Sequence, residues 1–357
     1  MKWMIDYIKE APKVCKEMIN NKNEITKDLV KKYTAKSYKG ILLVGSGSSN
    51  NIALCSKPVL EKYLDIPVVV KTPRTYALYD YKFYNDYLIL CLSQSGRSTN
   101  TIDAVRRAQK EGNDVAAISM LADSPISHYV KDSFSYGSSK DGKDSFVSKG
   151  FPTSVLYFSL FALEVALKQK NISTEIYDKA IAELEEVTDV MTTMREKADQ
   201  FYETHKMNIQ NISRIMFVGI GVGEGLAREA CLKFSETTGI PTNGYETEEF
   251  LHGPSFEVKK DHAVFVLDLD KESTSLSNKV FESTKLLTDK VYMITDKKTY
   301  GQDVLSLEIN VDDVFKPIPF VIPIQLLPSN ICSDLNIRAI TIYNHRASQL
   351  VNTKTDY

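Results

Sequence analysis

Two stretches decide the fold. They are Ile41-Leu42-Leu43-Val44-Gly45-Ser46-Gly47-Ser48-Ser49-Asn50-Asn51-Ile52-Ala53-Leu54 and, far downstream, Ile215-Met216-Phe217-Val218-Gly219-Ile220-Gly221-Val222-Gly223-Glu224-Gly225-Leu226-Ala227-Arg228. Each is an apolar run of strand length that meets a glycine turn and then a helical pattern. Such a run opens a β-α-β unit with a parallel sheet. The two stretches hold the same place in two halves of the chain, so a whole domain is duplicated rather than a short solenoid repeat. Apolar runs at Val68–Val70, Leu88–Leu92 and Val115–Ser119 follow the first stretch, with a helical pattern at Thr99–Glu111. Runs at Ala263–Leu267 and Val291–Thr295 follow the second. The expected class is α/β, with two tandem units, each a parallel sheet flanked by helices in a flavodoxin-like three-layer arrangement.

Outward from these stretches, residues 3–35 read as helical with a kink or break at Pro12. Glu175–His205 reads as one long amphipathic helix, because Tyr177, Ile181, Leu184, Val187, Met191 and Met194 recur at three- and four-residue steps. Phe315–Leu335 reads as a packing helix. The expected organisation is an N-terminal helical segment 1–35, a first unit 36–170, a linker helix 171–208, a second unit 209–340 and a tail 341–357. A length of 357 residues suits two domains.

With 43% hydrophobic and 25% charged residues, the composition is that of a globular protein with a core, and a net charge of −2 carries no basic footprint for nucleic acid. Five scattered cysteines without a CxxC pair argue against a disulfide scaffold and for a reducing compartment, so a cytoplasmic location is expected. The five histidines show no metal-ligand spacing, and no metal or other cofactor is expected. The N-terminus is interrupted by charge too early for a signal peptide. The apolar run 155–167 reads as a buried helix too short for a bilayer, and no membrane partner is expected.

Three motifs carry chemistry. After the first strand, Gly45-Ser46-Gly47-Ser48-Ser49 can bring backbone N–H groups and hydroxyls to an anion at a helix start. It is neither a dinucleotide fingerprint, since Asn50 replaces the third glycine, nor a P-loop. A plain tight turn capped by serines would show the same residues. Ser93-Gln94-Ser95-Gly96-Arg97-Ser98-Thr99 repeats the device after a second strand; in a doubly wound sheet both turns meet one crevice and can wrap one phosphate. The counterpart in the second half, Asp268-Leu269-Asp270-Lys271-Glu272-Ser273, would repel a phosphate. The third motif joins Glu229, Lys233 and Glu236, at i, i+4 and i+7 on one helix face, to His252 in a loop before Gly253-Pro254. A solvated salt-bridge face and a surface histidine fit this pattern, as do a glutamate base tuned by a lysine and a histidine acid–base group.

Ser93-Gln94-Ser95-Gly96 with Ser98, the Glu229-x3-Lys233-x2-Glu236 helix, and Glu249-x2-His252-Gly253-Pro254 together resemble the double sugar-isomerase (SIS) domain family. The chain is similar to the isomerase half of glucosamine-6-phosphate synthase and to fructosamine-6-phosphate deglycases. The resemblance runs from about residue 25 to the C-terminus. It implies that Ser49, Ser93, Gln94, Ser95 and Ser98 bind a sugar phosphate, and that Gly47, Ser48, Val147 and Ser148 line the sugar. It implies that Glu236 moves a proton between C1 and C2 of the open chain, and that His252 assists ring opening from the neighbouring subunit of a homodimer. Glu229 and Lys233 become a supporting acid and base. Lys354 in the tail is a candidate analogue of an imine-forming lysine, but its flanking residues differ and its role stays open. Without an N-terminal glutaminase, no use of glutamine is expected.

The function this implies is a sugar-phosphate isomerase or deglycase, foremost a fructosamine-type 6-phosphate deglycase. Alternatives are an aldose–ketose isomerase or deaminase of an amino-sugar 6-phosphate, and a non-catalytic sugar-phosphate sensor.

Overall fold

The structure is a computed structural model and describes residues 3–138, 143–337 and 351–355. The chain forms two compact units. One holds residues 10–185 with the tail residues 351–355; the other holds residues 186–337 with residues 3–9. The tail therefore belongs to the first unit instead of standing apart.

The chain opens with helices α1 (Met4–Asn20) and α2 (Lys22–Thr34). Of the kink or break expected at Pro12, the break falls instead at Asn21. Pro12 is carried inside α1, whereas Asn21 leaves helical geometry and its side-chain amide donates to the Glu17 carbonyl at 2.8 Å, ending the helix there. Next come β1 (Gly40–Val44), α3 (Ser48–Leu64), β2 (Val68–Lys71) and the single turn α4 (Pro73–Thr75), which continues as a π-helix over Tyr76–Asp80. Then β3 (Tyr87–Leu92), α5 (Thr99–Lys110), β4 (Val115–Ser119), β5 (Ser133–Ser135) and α6 (Gly150–Lys168) complete the first unit's core.

The sheet is all parallel in the order β2-β1-β3-β4-β5. Alternate strand residues Leu42, Val44, Ile89 and Cys91 pack with Ile102, Val105 and Ala108 of α5, so the other strand residues face the opposite layer. There α3 packs against α6, and α6 against α2. Sandwiching explains why the strands read as unbroken apolar runs. The apolar run 155–167 is longer than expected: α6 has 19 residues, long and apolar enough to cross a membrane by length and composition alone, yet it is buried along nearly its whole length.

The expected single linker is two helices, α7 (Thr174–Asp189) and α8 (Met191–Gln210), separated at Val190. The second unit then runs β6 (Arg214–Gly219), α9 (Val222–Thr238), β7 (Thr242–Glu246), α10 (Thr247–Leu251), β8 (His262–Asp268), α11 (Thr274–Thr284), β9 (Val291–Thr295), β10 (Val304–Ser306) and α12 (Pro317–Asp334). Its parallel sheet, in the order β7-β6-β8-β9-β10, matches the first strand for strand. Three strands escaped the hydrophobic pattern. β5 and β10 are three-residue edge strands, and β7 is half-buried and polar (Thr-Asn-Gly-Tyr-Glu). Gly244 of β7 is required by packing, since a Cβ there would lie 2.4 Å from the Ala227 carbonyl oxygen of α9.

Asp114, just before β4, fastens α2 to the sheet. It accepts from Lys32 Nζ at 2.6 Å, Lys36 Nζ at 2.8 Å and Tyr38 Oη at 2.8 Å. Burial pushes its carboxyl up, but hydrogen bonds from these three groups overcome that and hold its pKa at about 2, against an ordinary 3.8. A carboxylate with a depressed folded pKa contributes stability above its unfolded pKa, and that contribution is lost as pH falls through the folded value. Asp114→Asn should therefore be less stable than wild type at neutral pH. The gap should narrow as pH drops from about 3.8 to about 2, as read by denaturant titration at each pH.

Candidate active site

In each sheet the strand order reverses between the first strand and its inner neighbour, at β1/β3 and at β6/β8. A crevice opens at such a switch point, beyond the carboxyl ends of the strands. In the first unit both hydroxyl turns lie there. The turn after β1 places Gly47 at φ 56° and starts α3 at Ser48. Gly45 is required, because a Cβ there would stand 2.9 Å from the Ser49 carbonyl carbon. The turn after β3 is held by Gly96 N donating to Ser93 O (2.8 Å), and its Ser98 is the N-cap residue of α5. Gly96 sits at φ 69°, and a Cβ on it would meet Ser124 at 2.5 Å. Two helix N-termini and their hydroxyls thus converge, an arrangement that can take an oxyanion.

Ser48, Ser49 and Ser93 are buried, while Gln94, Ser95 and Ser98 are half-buried. Ser49, Ser93 and Gln94 also line a cavity of about 10 Å³, roughly one water in size, with Tyr136 of the following loop and Ser154 of α6. The sequence reading overlooked the residue that ties the turns together: Asn100 Nδ2 donates to Ser46 Oγ at 2.8 Å. It also left Lys354 open. The structure sets the tail against the second turn, with an antiparallel bridge between Lys354 and Ser98. Thr99 N donates to Thr353 O (3.2 Å), Thr355 N to Arg97 O (2.9 Å) and Arg97 Nε to Thr355 O (3.0 Å). The Lys354 side chain is exposed at this rim. Val147 is half-buried at φ 56°, and the Ser148 side chain is turned inward, donating to the Ser145 carbonyl.

Beyond the carboxyl ends of β8 and β9 the second unit carries charges that pair internally. Asp268 accepts from Thr295 Oγ1 (3.0 Å) and pairs with Lys297 (3.1 Å); buried Lys316 pairs with Asp296 (2.6 Å) and Asp313. The charged residues singled out in the sequence lie on α9 instead. There the solvated-face reading fails: Glu229 and Lys233 are 0% and 1% exposed, and only Glu236, at 31%, reaches solvent. α9 is covered by α12 and β7, which turns the charged stripe inward. Lys233 Nζ lies 3.3 Å from Glu229 Oε1 and 2.5 Å from Glu236 Oε1. Burial pulls the ammonium's pKa down, but the two carboxylates outweigh it, so the net shift is upward and Lys233 stays charged. A carboxylate anchored on one oxygen by a fixed cation and partly open to solvent can accept a proton from a bound carbon acid.

His252 caps the end of α10 and is 82% exposed, its Nε2 4.0 Å from Glu248 Oε2. The site residues of the first unit and those on α9 and α10 belong to different units.

The chain is thus a duplicated, doubly wound α/β protein with hydroxyl turns at one switch point and an internally paired lysine on the later repeat. The sequence model of the SIS domain matches residues 36–136 and 208–300, and the chain belongs to that family. The glutamine–fructose-6-phosphate aminotransferase (isomerizing) of Clostridium tetani is 25% identical over 344 residues, covering 91% of this chain and 55% of its own length. The chain thus spans about half the length of the curated relatives it matches. A crystal structure from Clostridium difficile 630, described as a candidate phosphosugar isomerase, shares 26% identity over 99% of both chains with a TM-score of 0.90. The C-terminal domain of glucosamine-fructose-6-phosphate aminotransferase from Francisella tularensis has the same fold, with a TM-score of 0.81 at 21% identity over 94% of this chain and 96% of that one.

Lys233→Met should cost about 3–5 kcal/mol by leaving Glu229 buried without its counter-charge. Glu229→Gln combined with Lys233→Met should recover most of that loss in denaturant titrations. A single-variant loss under about 1 kcal/mol would mean that the triad behaves as a surface pair.

Proposed function

We propose that this chain is a phosphosugar enzyme that transfers a proton between C1 and C2 of an open-chain sugar 6-phosphate. The observation that carries the reading is the Glu229–Lys233–Glu236 triad, two members sealed in the unit and the third partly open. Phosphate is taken by Ser49, Ser93, Gln94, Ser95 and Ser98. Hydroxyls and backbone amides stabilise its charge by their dipoles, which suits a monophosphate. Gly47, Ser48, Val147 and Ser148 line the sugar. Lys233, held charged, pairs with one oxygen of Glu236, whose carboxylate takes a proton from the carbon next to the carbonyl and returns it to the neighbouring carbon. Acid–base transfer of this kind supplies ~10²–10⁴-fold in rate. His252 is exposed on its own chain, as suits a group that assists ring opening in the neighbouring subunit of a homodimer.

The particular reaction we assign is removal of an amine from a fructosamine-type 6-phosphate: isomerisation, then release of the amine to water. The isomerizing aminotransferase relatives join C–N chemistry to isomerisation of fructose 6-phosphate by name, which supports an amine-bearing sugar. Turnover of fructosamine, hexosamine and hexose 6-phosphates, with release of amine and of ammonia followed separately, tests this choice. Amine release from the fructosamine is expected; ketose–aldose interconversion with neither product would replace the deglycase with an isomerase. Glu236→Gln should lower turnover by at least ~10²-fold while leaving phosphate affinity within about twofold. Equal turnover in variant and wild type would remove Glu236 from the mechanism.

A further inference from the structure

We propose that Asp144, which the sequence reading did not single out, is a positioning residue that holds the sugar-lining backbone at Phe146–Ser148 and couples it to the phosphate turn. The inference rests on the reading that this segment lines the sugar. It begins from two consecutive residues with left-handed backbone, Phe146 at φ 53° and Val147 at φ 56°. Neither is glycine or asparagine, and a β-branched valine there is a genuine outlier. Such a conformation persists only where its surroundings over-determine it, and it gathers at sites where shape is used.

The surroundings here are specific. Asp144 Oδ1 accepts from the backbone N–H of Ser148 (3.1 Å) and Lys149 (3.3 Å), and Oδ2 accepts from Gly150 N at 2.7 Å. One carboxylate therefore satisfies three successive amides where α6 begins, and its negative charge sits at the positive end of that helix. On the far side of the segment, the buried Lys149 side chain pairs with Glu10 of α1 at 2.8 Å. The left-handed pair is thus clamped from both ends. The same Asp144 Oδ2 also lies 3.4 Å from Gln94 Nε2, the amide on the phosphate turn. Gly150 is what lets the three meet, since a Cβ on it would stand 2.7 Å from Asp144 Oδ2 and 3.0 Å from Gln94 Nε2.

The consequence is a division of labour. The turns after β1 and β3 take the phosphate chiefly through serine hydroxyls and backbone amides, whereas Asp144 sets the backbone that meets the sugar's hydroxyl chain. Calorimetry with inorganic phosphate and with fructose 6-phosphate as probes separates the two. Asp144→Ala should weaken fructose 6-phosphate at least about tenfold and leave inorganic phosphate within about twofold. Gly150→Ala, whose Cβ would push Asp144 Oδ2 off these amides, should show the same split, and it stands as the test should Asp144→Ala not fold. Amide exchange at residues 148–150 should quicken in Asp144→Ala. Equal weakening of both ligands, or of neither, overturns the proposal. A wild type that binds fructose 6-phosphate but turns over no sugar phosphate sinks the proposed function and leaves this role standing; a wild type that binds neither probe sinks both.

Discussion

A lysine ammonium sealed inside an α/β unit is the constraint that orders the later repeat. Desolvation of Lys233 is costly, and the Glu229 and Glu236 carboxylates on the same helix offset it. That demand fixes three positions of α9 at once and requires α12 and β7 to cover them. It also separates the roles of two chemically identical side chains. Glu229 is fully enclosed and acts on charge balance, whereas Glu236 keeps solvent access and with it the capacity to exchange a proton.

The two units share a topology but meet the electrostatics of the switch point in opposite ways. The first leaves it lined by serines, amides and helix starts, a surface that stabilises an incoming anion by dipoles. The second carries, beyond the ends of β8 and β9, carboxylates paired with Lys297 and with the fully buried Lys316. A duplicated scaffold thus carries hydroxyl turns in one repeat and internally paired charges in the other. The tail adds to the first: by pairing with Arg97, Ser98 and Thr99 it brings Lys354 to the rim of the hydroxyl turn.

Much of this could be read in the sequence, because strand, glycine turn and helix are local events. β1, β3, β6 and β8 announce themselves as apolar runs, and Gly45 and Gly96 mark turns that only glycine allows. What could not be read is what depends on distant neighbours. The i, i+4, i+7 charges of α9 look the same on a wet face and in a core, and only the cover by α12 decides. Asn100, Asp144 and the Lys354–Ser98 bridge act across contacts that no spacing encodes. β5 and β10 are too short to carry a period, and the break at Asn21 in place of Pro12 turns on a side-chain cap.

The central claim is that Glu236 is the group that moves the proton. It is tested most directly by NMR of fructose 6-phosphate in D₂O, following exchange of the carbon-bound hydrogen at C1 in the presence of the protein. The wild type should wash that hydrogen out into solvent, and Glu236→Gln should leave it in place while still binding the sugar phosphate. Exchange at the wild-type rate in Glu236→Gln would contradict the account.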